Sequence, residues 1–196
     1  MRATLTALIS LCAASAWAQS ELAPRLERVV GQDGAIVEAH VFDAGAESQP
    51  RGAVVLLHGG GWVAGDATWV YPRARQFAAR GMVAVAVDYR LGDPHGATAD
   101  ARSVIRWLRE HAAALNIDPA HIAAYGVSAG GQIAVSAAQD TDTGARPNAL
   151  VLLSPALDLE GDTWFARLAG EDAARAVATA KPPRRHAADT RPTGRR

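Results

Sequence analysis

Four short apolar segments, separated by stretches with helical patterning, most strongly constrain how this chain folds. Three of them, at 53–57, 82–87 and Ala149–Leu153, are almost wholly apolar, which is typical of strands buried on both faces of a sheet. The fourth, at 122–125, precedes a small-residue segment at Ala129–Ala138 that we expect to be helical. Strands that alternate with helices indicate a mostly parallel sheet with helices on both faces. The sequence therefore predicts the α/β fold class.

The remaining elements complete this pattern. Segments 26–30 and 35–42 flank a turn that ends in Asp-Gly, which predicts a β-hairpin. Apolar residues at helical spacing predict helices over 71–80 and 100–115, and the segment GDPHG at 92–96 is expected to be a loop.

The first 18 residues are typical of a signal peptide. Arg2 precedes a short apolar segment at 5–14, and the small-x-small sequence AWA at 16–18 resembles a cleavage site. The apolar segment is shorter than the roughly 20 residues that a membrane span needs. We therefore expect export to the periplasm or the medium, with a mature chain that starts near Gln19.

The C-terminal segment differs in composition from the rest of the chain. Residues 178–196 contain no Leu, Ile, Val, Phe, Tyr or Trp and are rich in arginine, so we expect a disordered basic tail after a domain at 19–177. A frameshift or premature end of the coding sequence would produce such an abrupt change. Acidic residues outnumber basic ones over 19–180, which gives no reason to expect nucleic-acid binding.

The segment GVSAG at 126–130 has the G-x-S-x-G spacing of a nucleophile elbow. Ser128 lies between a predicted strand and a predicted helix, where a sharp turn would lift its Oγ above the sheet. A serine there attacks a carbonyl carbon if a base takes its proton and donors stabilise the oxyanion. A turn of small residues within a β-α-β unit would have the same sequence without any catalytic role. The motif alone therefore leaves both a nucleophile and a structural turn open.

The segment HGGGW at 58–62 has the sequence of an oxyanion loop. It lies upstream of Ser128, which is the order expected in a fold with a nucleophile elbow. Glycine permits the backbone of Gly59 and Gly60 to approach a substrate closely, and Ala129 opens the next helix, so their three N–H groups are candidate oxyanion donors. We interpret His58 as a hydrogen-bonding brace for the glycines. The alternative, a phosphate-binding turn, lacks the usual nucleotide-binding motifs.

Residues 54–159 resemble the α/β-hydrolase fold-3 carboxylesterases, the hormone-sensitive-lipase-like group. The resemblance rests on HGGGW (58–62), DYRL (88–91), DARSVIRWLREHA (100–112), GVSAGG (126–131) and LLSPALDL (152–159). It implies that Ser128 is the nucleophile and that Gly59, Gly60 and Ala129 form the oxyanion hole. It also implies hydrolysis of small carboxylic esters through an acyl-serine intermediate, without a cofactor.

In this family the acid and the histidine follow the serine, the acid after the next strand but one and the histidine after the strand beyond it. We expect the sequence to end before either strand, which predicts a truncated α/β-hydrolase domain that lacks its last strands. The candidates that the sequence offers are weak: His186 and Asp189 have the right chain order but lie in the basic tail, and His95 precedes the serine. Histidines 111 and 121 are interpreted as surface residues, and aspartates 158 and 162 as loop and cap residues.

The acid and base therefore stay unknown, and the sequence leaves three functions open. The chain is an esterase, a non-catalytic frameshifted remnant of one, or a binding module that keeps the pocket without turnover. The scattered histidines and the absence of H-E-x-x-H predict no metal site. The oligomeric state is not predicted.

Overall fold

The computed structural model describes residues 22–45, 48–159 and 163–169. The chain divides into two units after Leu157, and the sheet lies in the first. The predicted signal peptide, the predicted basic tail with His186 and Asp189, and Asp162 lie outside the described residues. Those expectations stay predictions.

Six strands and four α-helices make up the described secondary structure. The strands are β1 (Arg25–Val30), β2 (Ile36–Phe42), β3 (Arg51–Leu57), β4 (Val83–Asp88), β5 (Ile117–Val127) and β6 (Ala149–Leu153). The helices are α1 (Tyr71–Ala78), α2 (Pro94–Glu110), α3 (Ala129–Ala138) and, in the second unit, α4 (Thr163–Ala169). Two short 3-10 helices cover Ala67–Val70 and Thr143–Ala145.

The strands form one mixed sheet in the order β1-β2-β4-β3-β5-β6. Neighbouring strands are parallel from β4 through β3 and β5 to β6, whereas β1 and β2 form the antiparallel hairpin and β2 pairs antiparallel with β4. The predicted α/β fold is confirmed. β3 lies inside the sheet, so its apolar segment is buried, as the sequence predicts.

One face of the sheet packs against α1 and the 3-10 helix that precedes it. Alternate residues of a strand share a face, and this face presents Val54 and Leu56 of β3 together with Ala84 and Ala86 of β4. Small side chains on β4 allow close approach by the helix. The remaining buried members of this core are Phe42, Ala67, Val70, Ala74, Ala78 and Tyr125.

The edge strand β6 leaves apolar surface exposed. It pairs with β5 on one side, and within the described residues no strand pairs with its other side. Three of its side chains, Leu150, Val151 and Leu153, are 38% to 42% exposed. A flat apolar edge of this kind favours pairing with a further strand.

The start of α2 corrects the sequence expectation. The predicted loop at 92–96 is the cap and first turn of this helix, which begins at Pro94 and ends at Glu110, not at 115. Asp93 caps it, because its Oδ1 accepts the Gly96 N–H at 2.9 Å, and proline is well tolerated in a first turn. β5 is also longer than predicted, because Ile117 already pairs with Arg51.

A buried carboxylate joins the end of β4 to α2. Asp100, which is 3% exposed, accepts the Arg90 backbone N–H at 2.8 Å and the Arg90 guanidinium at distances from 2.5 to 3.1 Å. Asp33 of the β1–β2 turn accepts a further Arg90 N–H at 2.8 Å. The bond to Asp100 holds the pKa of Arg90 above its usual range. The hairpin, β4 and α2 are thus tied together through one guanidinium.

We expect Asp100→Asn to lower the free energy of unfolding by about 2–3 kcal/mol, because the amide leaves Arg90 without its buried charge partner. Asp118→Asn is the matched control, since Asp118 pairs with His121 at the surface and such pairs contribute about 1 kcal/mol or less. Urea unfolding measures both variants. Equal stability of the two would contradict the prediction.

Candidate active site

Ser128 is the single residue between β5 and α3. Its backbone has φ 51° and ψ −115°, in a region that residues with a side chain rarely adopt. Such a conformation costs about 1–3 kcal/mol and is typical of functional sites. The Ser128 carbonyl accepts the N–H groups of Gly131 and Gln132 at 2.9 and 3.2 Å, so the strain is held by the first turn of α3.

The glycines of the motif are required by crowding where the strand meets the helix. A Cβ on Gly126 would lie 2.3 Å from the Gly130 carbonyl oxygen. A Cβ on Gly130 would lie 2.3 Å from the Leu57 carbonyl oxygen, at the end of β3. The G-x-S-x-G spacing therefore lets β3, β5 and α3 meet at the serine.

The glycine loop after β3 lies against the serine. A Cβ on Gly59 would be only 3.5 Å from the Ser128 Cβ. Gly60 has φ +121°, and its carbonyl accepts the N–H groups of Val63 and Ala64 at 3.2 and 3.1 Å, which closes a tight turn. A Cβ there would lie 1.9 Å from the Ala64 carbonyl oxygen. With Ala129 at the start of α3, the three predicted oxyanion donors lie in segments adjacent to Ser128.

His58 braces this loop from inside the core. It is 1% exposed, and its Nδ1 donates to the Gly59 carbonyl at 2.6 Å, since a carbonyl only accepts. The Tyr89 ring stacks on the imidazole at 4.2 Å, and its hydroxyl donates to the His58 carbonyl at 2.8 Å. Burial lowers the pKa of His58, so the ring is neutral near pH 7. These contacts fit the bracing role that the sequence suggests.

A second link, which the sequence analysis missed, joins the glycine loop to α3. The Trp62 Nε1 donates to the Gln132 Oε1 at 3.0 Å, and the Gln132 Nε2 donates to the Ser136 Oγ at 2.7 Å. Both Trp62 and Gln132 are buried. The available signal is a glutamine in a helix of otherwise small or apolar residues, because a buried amide needs partners for its polar atoms.

The segment after β6 supports the turn from the other side. The Ser128 N–H donates to the Leu153 carbonyl at 3.0 Å, and the Ala156 N–H donates to the Ser128 carbonyl at 3.1 Å. Ser154 also has a positive φ, of 44°. Four described non-glycine residues have a positive φ, and three of them, Trp62, Ser128 and Ser154, follow the ends of β3, β5 and β6. Backbone strain is therefore concentrated at the carboxyl ends of these three strands.

A general base for Ser128 is not found among the described residues. Within 22–45, 48–159 and 163–169, no hydrogen bond joins an imidazole to Ser128. His95 lies exposed in the first turn of α2, where the sequence placed a loop. His111 and His121 are exposed and bond to Trp107 and Asp118, as expected of surface residues. The described residues thus bring the nucleophile and oxyanion candidates together, and none of the described imidazoles bonds to the serine.

Comparison with known proteins places the chain among hydrolases. A sequence model of the alpha/beta hydrolase fold matches residues 54–188. Carboxylesterase NlhH of Mycobacterium tuberculosis (strain CDC 1551 / Oshkosh) is 39% identical over 142 residues, which cover 68% of this chain and 44% of that protein. Esterase LipI of Mycobacterium tuberculosis (strain ATCC 25618 / H37Rv) is 40% identical over 105 residues, which cover 51% and 33%. The chain spans less than half the length of these curated relatives.

Solved structures give the same assignment. The apo form of Thermogutta terrifontis esterase 2 superposes with a TM-score of 0.70 at 31% identity, covering 80% of this chain and 65% of that one. Its propionate-bound form gives a TM-score of 0.66 at 31% identity, covering 78% and 65%. The range matched by the family model, residues 54–188, includes the glycine loop and the serine turn. The chain belongs to the α/β-hydrolase family, in the hormone-sensitive-lipase-like group of carboxylesterases.

Proposed function

We propose that the chain carries the nucleophile and oxyanion hole of a serine carboxylesterase that cleaves small carboxylic esters. The observation that carries this proposal is the strained turn at Ser128, pressed against the Gly59 backbone. Strain of this kind persists when the surrounding structure holds it, and it aims the serine hydroxyl away from its own helix. Propionate and butyrate are bound in structures of Thermogutta terrifontis esterase 2, which supports short acyl groups.

The reaction begins when the Ser128 Oγ attacks the ester carbonyl carbon while a general base takes the hydroxyl proton. The carbonyl oxygen gains the negative charge and is stabilised by the N–H groups of Gly59, Gly60 and Ala129. The C–O bond to the alcohol then breaks, and the alcohol leaves with the proton from the base. Water attacks the acyl-serine by the same route and releases the carboxylic acid.

In this proposal the acid partner lies outside the described ranges, and so does the base unless it is His95, because the other described imidazoles hydrogen-bond elsewhere. His186 and Asp189 have the chain order that the family requires, and His95 is the remaining candidate. We also propose export of the chain, on the signal-peptide pattern at 1–18. Among the described residues, no helix has the length and hydropathy of a membrane span.

A second candidate function is a binding module that keeps the ester pocket without turnover. It is favoured by one observation, the lack of a hydrogen bond between Ser128 and any described histidine. Without a base, a serine hydrolase retains only the modest acceleration that oxyanion donors and binding provide.

Fluorophosphonate labelling of the full chain, recorded by intact mass, separates the two. We expect one adduct on the wild type and none on Ser128→Ala, because only an activated serine displaces fluoride. Ser103→Ala is the matched control: this buried serine lies on α2, bonded to the Ala99 carbonyl, and its loss should leave labelling intact. No adduct on a folded wild type refutes the esterase and leaves the binding module. If an adduct forms, His186→Gln and His95→Gln identify the base.

A further inference from the structure

Two carboxylates face each other across β2 and β4. Glu38 and Asp88 are direct partners in the antiparallel register. Like charges that lie directly opposite destabilise a sheet unless a cation lies between them. His40, two residues after Glu38, shares the same face of β2. Its Nε2 lies 3.2 Å from the Glu38 Oε1 and 3.1 Å from the Asp88 Oδ2.

The imidazole of His40 is buried and oriented from behind. His40 is 6% exposed, and its Nδ1 shares a short hydrogen bond with the Tyr71 hydroxyl of α1. Its Nε2 is buried and, despite the two nearby carboxylates, makes no hydrogen bond of acceptable geometry within the described part of the chain. In the tautomer that carries its proton on Nδ1, which then donates to Tyr71, the electron pair of Nε2 faces the carboxylates. Imidazoles that bind metal ions are oriented in this way, by a hydrogen bond at the other nitrogen.

The spacing of the three groups fits a metal ion. One oxygen of each carboxylate and a ring nitrogen all lie within 4.8 Å of one another. Two ligands of a tetrahedral Zn²⁺ with bonds of about 2.0–2.1 Å are separated by roughly 3.3 Å, close to both nitrogen–oxygen distances. The Glu38 side chain is 48% exposed, so it has room to adjust its oxygen. We propose that Glu38, His40 and Asp88 bind a divalent transition-metal ion, with Zn²⁺ the best fit to one nitrogen and two oxygens.

The ion would hold three segments together. Its ligands come from β2 and from the last residue of β4, and the Asp88 Oδ1 accepts the Ala67 N–H at 2.5 Å, at the start of the 3-10 helix after the glycine loop. Asp88 is therefore oriented by a hydrogen bond of its own, as ligating carboxylates usually are. Binding would stabilise this part of the fold, independently of any reaction at Ser128. Sequence motifs do not indicate this proposed site, because its ligands come from two strands 50 residues apart in sequence and meet only through register.

The test uses the full-length chain, first treated with a chelator and dialysed. We expect one equivalent of Zn²⁺ to bind in calorimetry. We also expect the melting temperature to rise by about 5–10 °C when free Zn²⁺ is about 100-fold above Kd. Co²⁺ in its place should give the intense visible bands of a tetrahedral site.

Three variants make the test specific. His40→Gln should abolish Zn²⁺ binding. Glu38→Gln should weaken Zn²⁺ binding by about 10-fold or more, and it leaves the core intact because Glu38 is half-exposed. His121→Gln is the matched control, because His121 also contacts a carboxylate, that of Asp118, but is 72% exposed. It should bind Zn²⁺ as the wild type does.

Two outcomes overturn the proposal. A wild-type chain that melts cooperatively but binds no Zn²⁺ would refute the site and leave His40 as a neighbour of the two carboxylates without an ion. Full binding by both His40→Gln and Glu38→Gln would place the ion elsewhere. Ser128→Ala should bind Zn²⁺ normally, so failure of the esterase proposal does not affect this one.

Discussion

Replacing Gly130 with alanine is expected to remove most of the stability of this chain, lowering the free energy of unfolding by about 4 kcal/mol or preventing folding. The added Cβ would lie 2.3 Å from the Leu57 carbonyl oxygen and 2.4 Å from that of His58. Both oxygens belong to the backbone at the end of β3, an interior strand of the sheet. This backbone cannot shift without moving its neighbours β4 and β5 as well. Gly130 has no positive φ, so the cost is steric alone.

Gly52→Ala is the matched control for this substitution. Gly52 lies in the same strand as Leu57, but a Cβ there would be 3.4 Å from its nearest neighbour, the His121 carbonyl oxygen, which is close to ordinary contact. Its effect should stay within about 1 kcal/mol. Thermal or urea unfolding, followed by circular dichroism, compares the two variants. Coincident transitions would show that α3 does not press on β3 as the structure indicates.

Gly60→Ala is expected to slow fluorophosphonate labelling of Ser128 by about 100-fold, the effect of losing one oxyanion donor. A Cβ on Gly60 would lie 1.9 Å from the Ala64 carbonyl oxygen, so the tight turn that this residue closes has to open. Opening it moves the Gly60 N–H away from the serine. The second-order labelling rate, measured by intact mass over time, gives the size of the effect.

Gly92→Ala separates this steric effect from backbone strain. Gly92 also has a left-handed backbone, with φ +77°, but nothing lies within 4 Å of an added Cβ. Both variants therefore carry an alanine in an unfavourable conformation, and only one has a clash. Labelling of Gly92→Ala should match the wild type. A similar loss in both variants would attribute the effect to general destabilisation and not to the oxyanion loop.

The parts of the fold that the sequence predicted well are those set by local pattern. The helix Ala129–Ala138 and the strand Ala149–Leu153 have their predicted bounds, because short apolar or small-residue segments end there at clear turn signals. The sequence predicts the start of α2 six residues late, because the glycines and the proline of GDPHG at 92–96 are typical of a loop. Gly96 is instead needed in that first turn, where a Cβ would lie 2.2 Å from the Arg90 Cδ.

The residues of the candidate site likewise divide into those that a local sequence pattern predicts and those that it does not. Ser128, Gly59 and Gly60 stand in contiguous motifs whose spacing is itself the constraint, so a search along the chain finds them. Other contacts form only between elements that become neighbours in the fold, and sequence spacing does not encode which elements those are. The contacts of Gln132 with Trp62, and of His40 with Glu38 and Asp88, are of this kind. None of the described histidines follows Ser128 in the chain, whereas the family order places the histidine after the serine, so the described residues do not show the usual base.

Selection for stability and selection for the hydroxyl act in opposite directions on residue 128. Glycine at this position would relieve left-handed strain of roughly 1–3 kcal/mol, while removing the hydroxyl. Selection for stability alone therefore favours glycine at 128, and only selection that acts on the hydroxyl favours serine. A lineage released from that second pressure would be expected to lose this serine early, before Gly126 and Gly130, where any residue with a Cβ creates a clash.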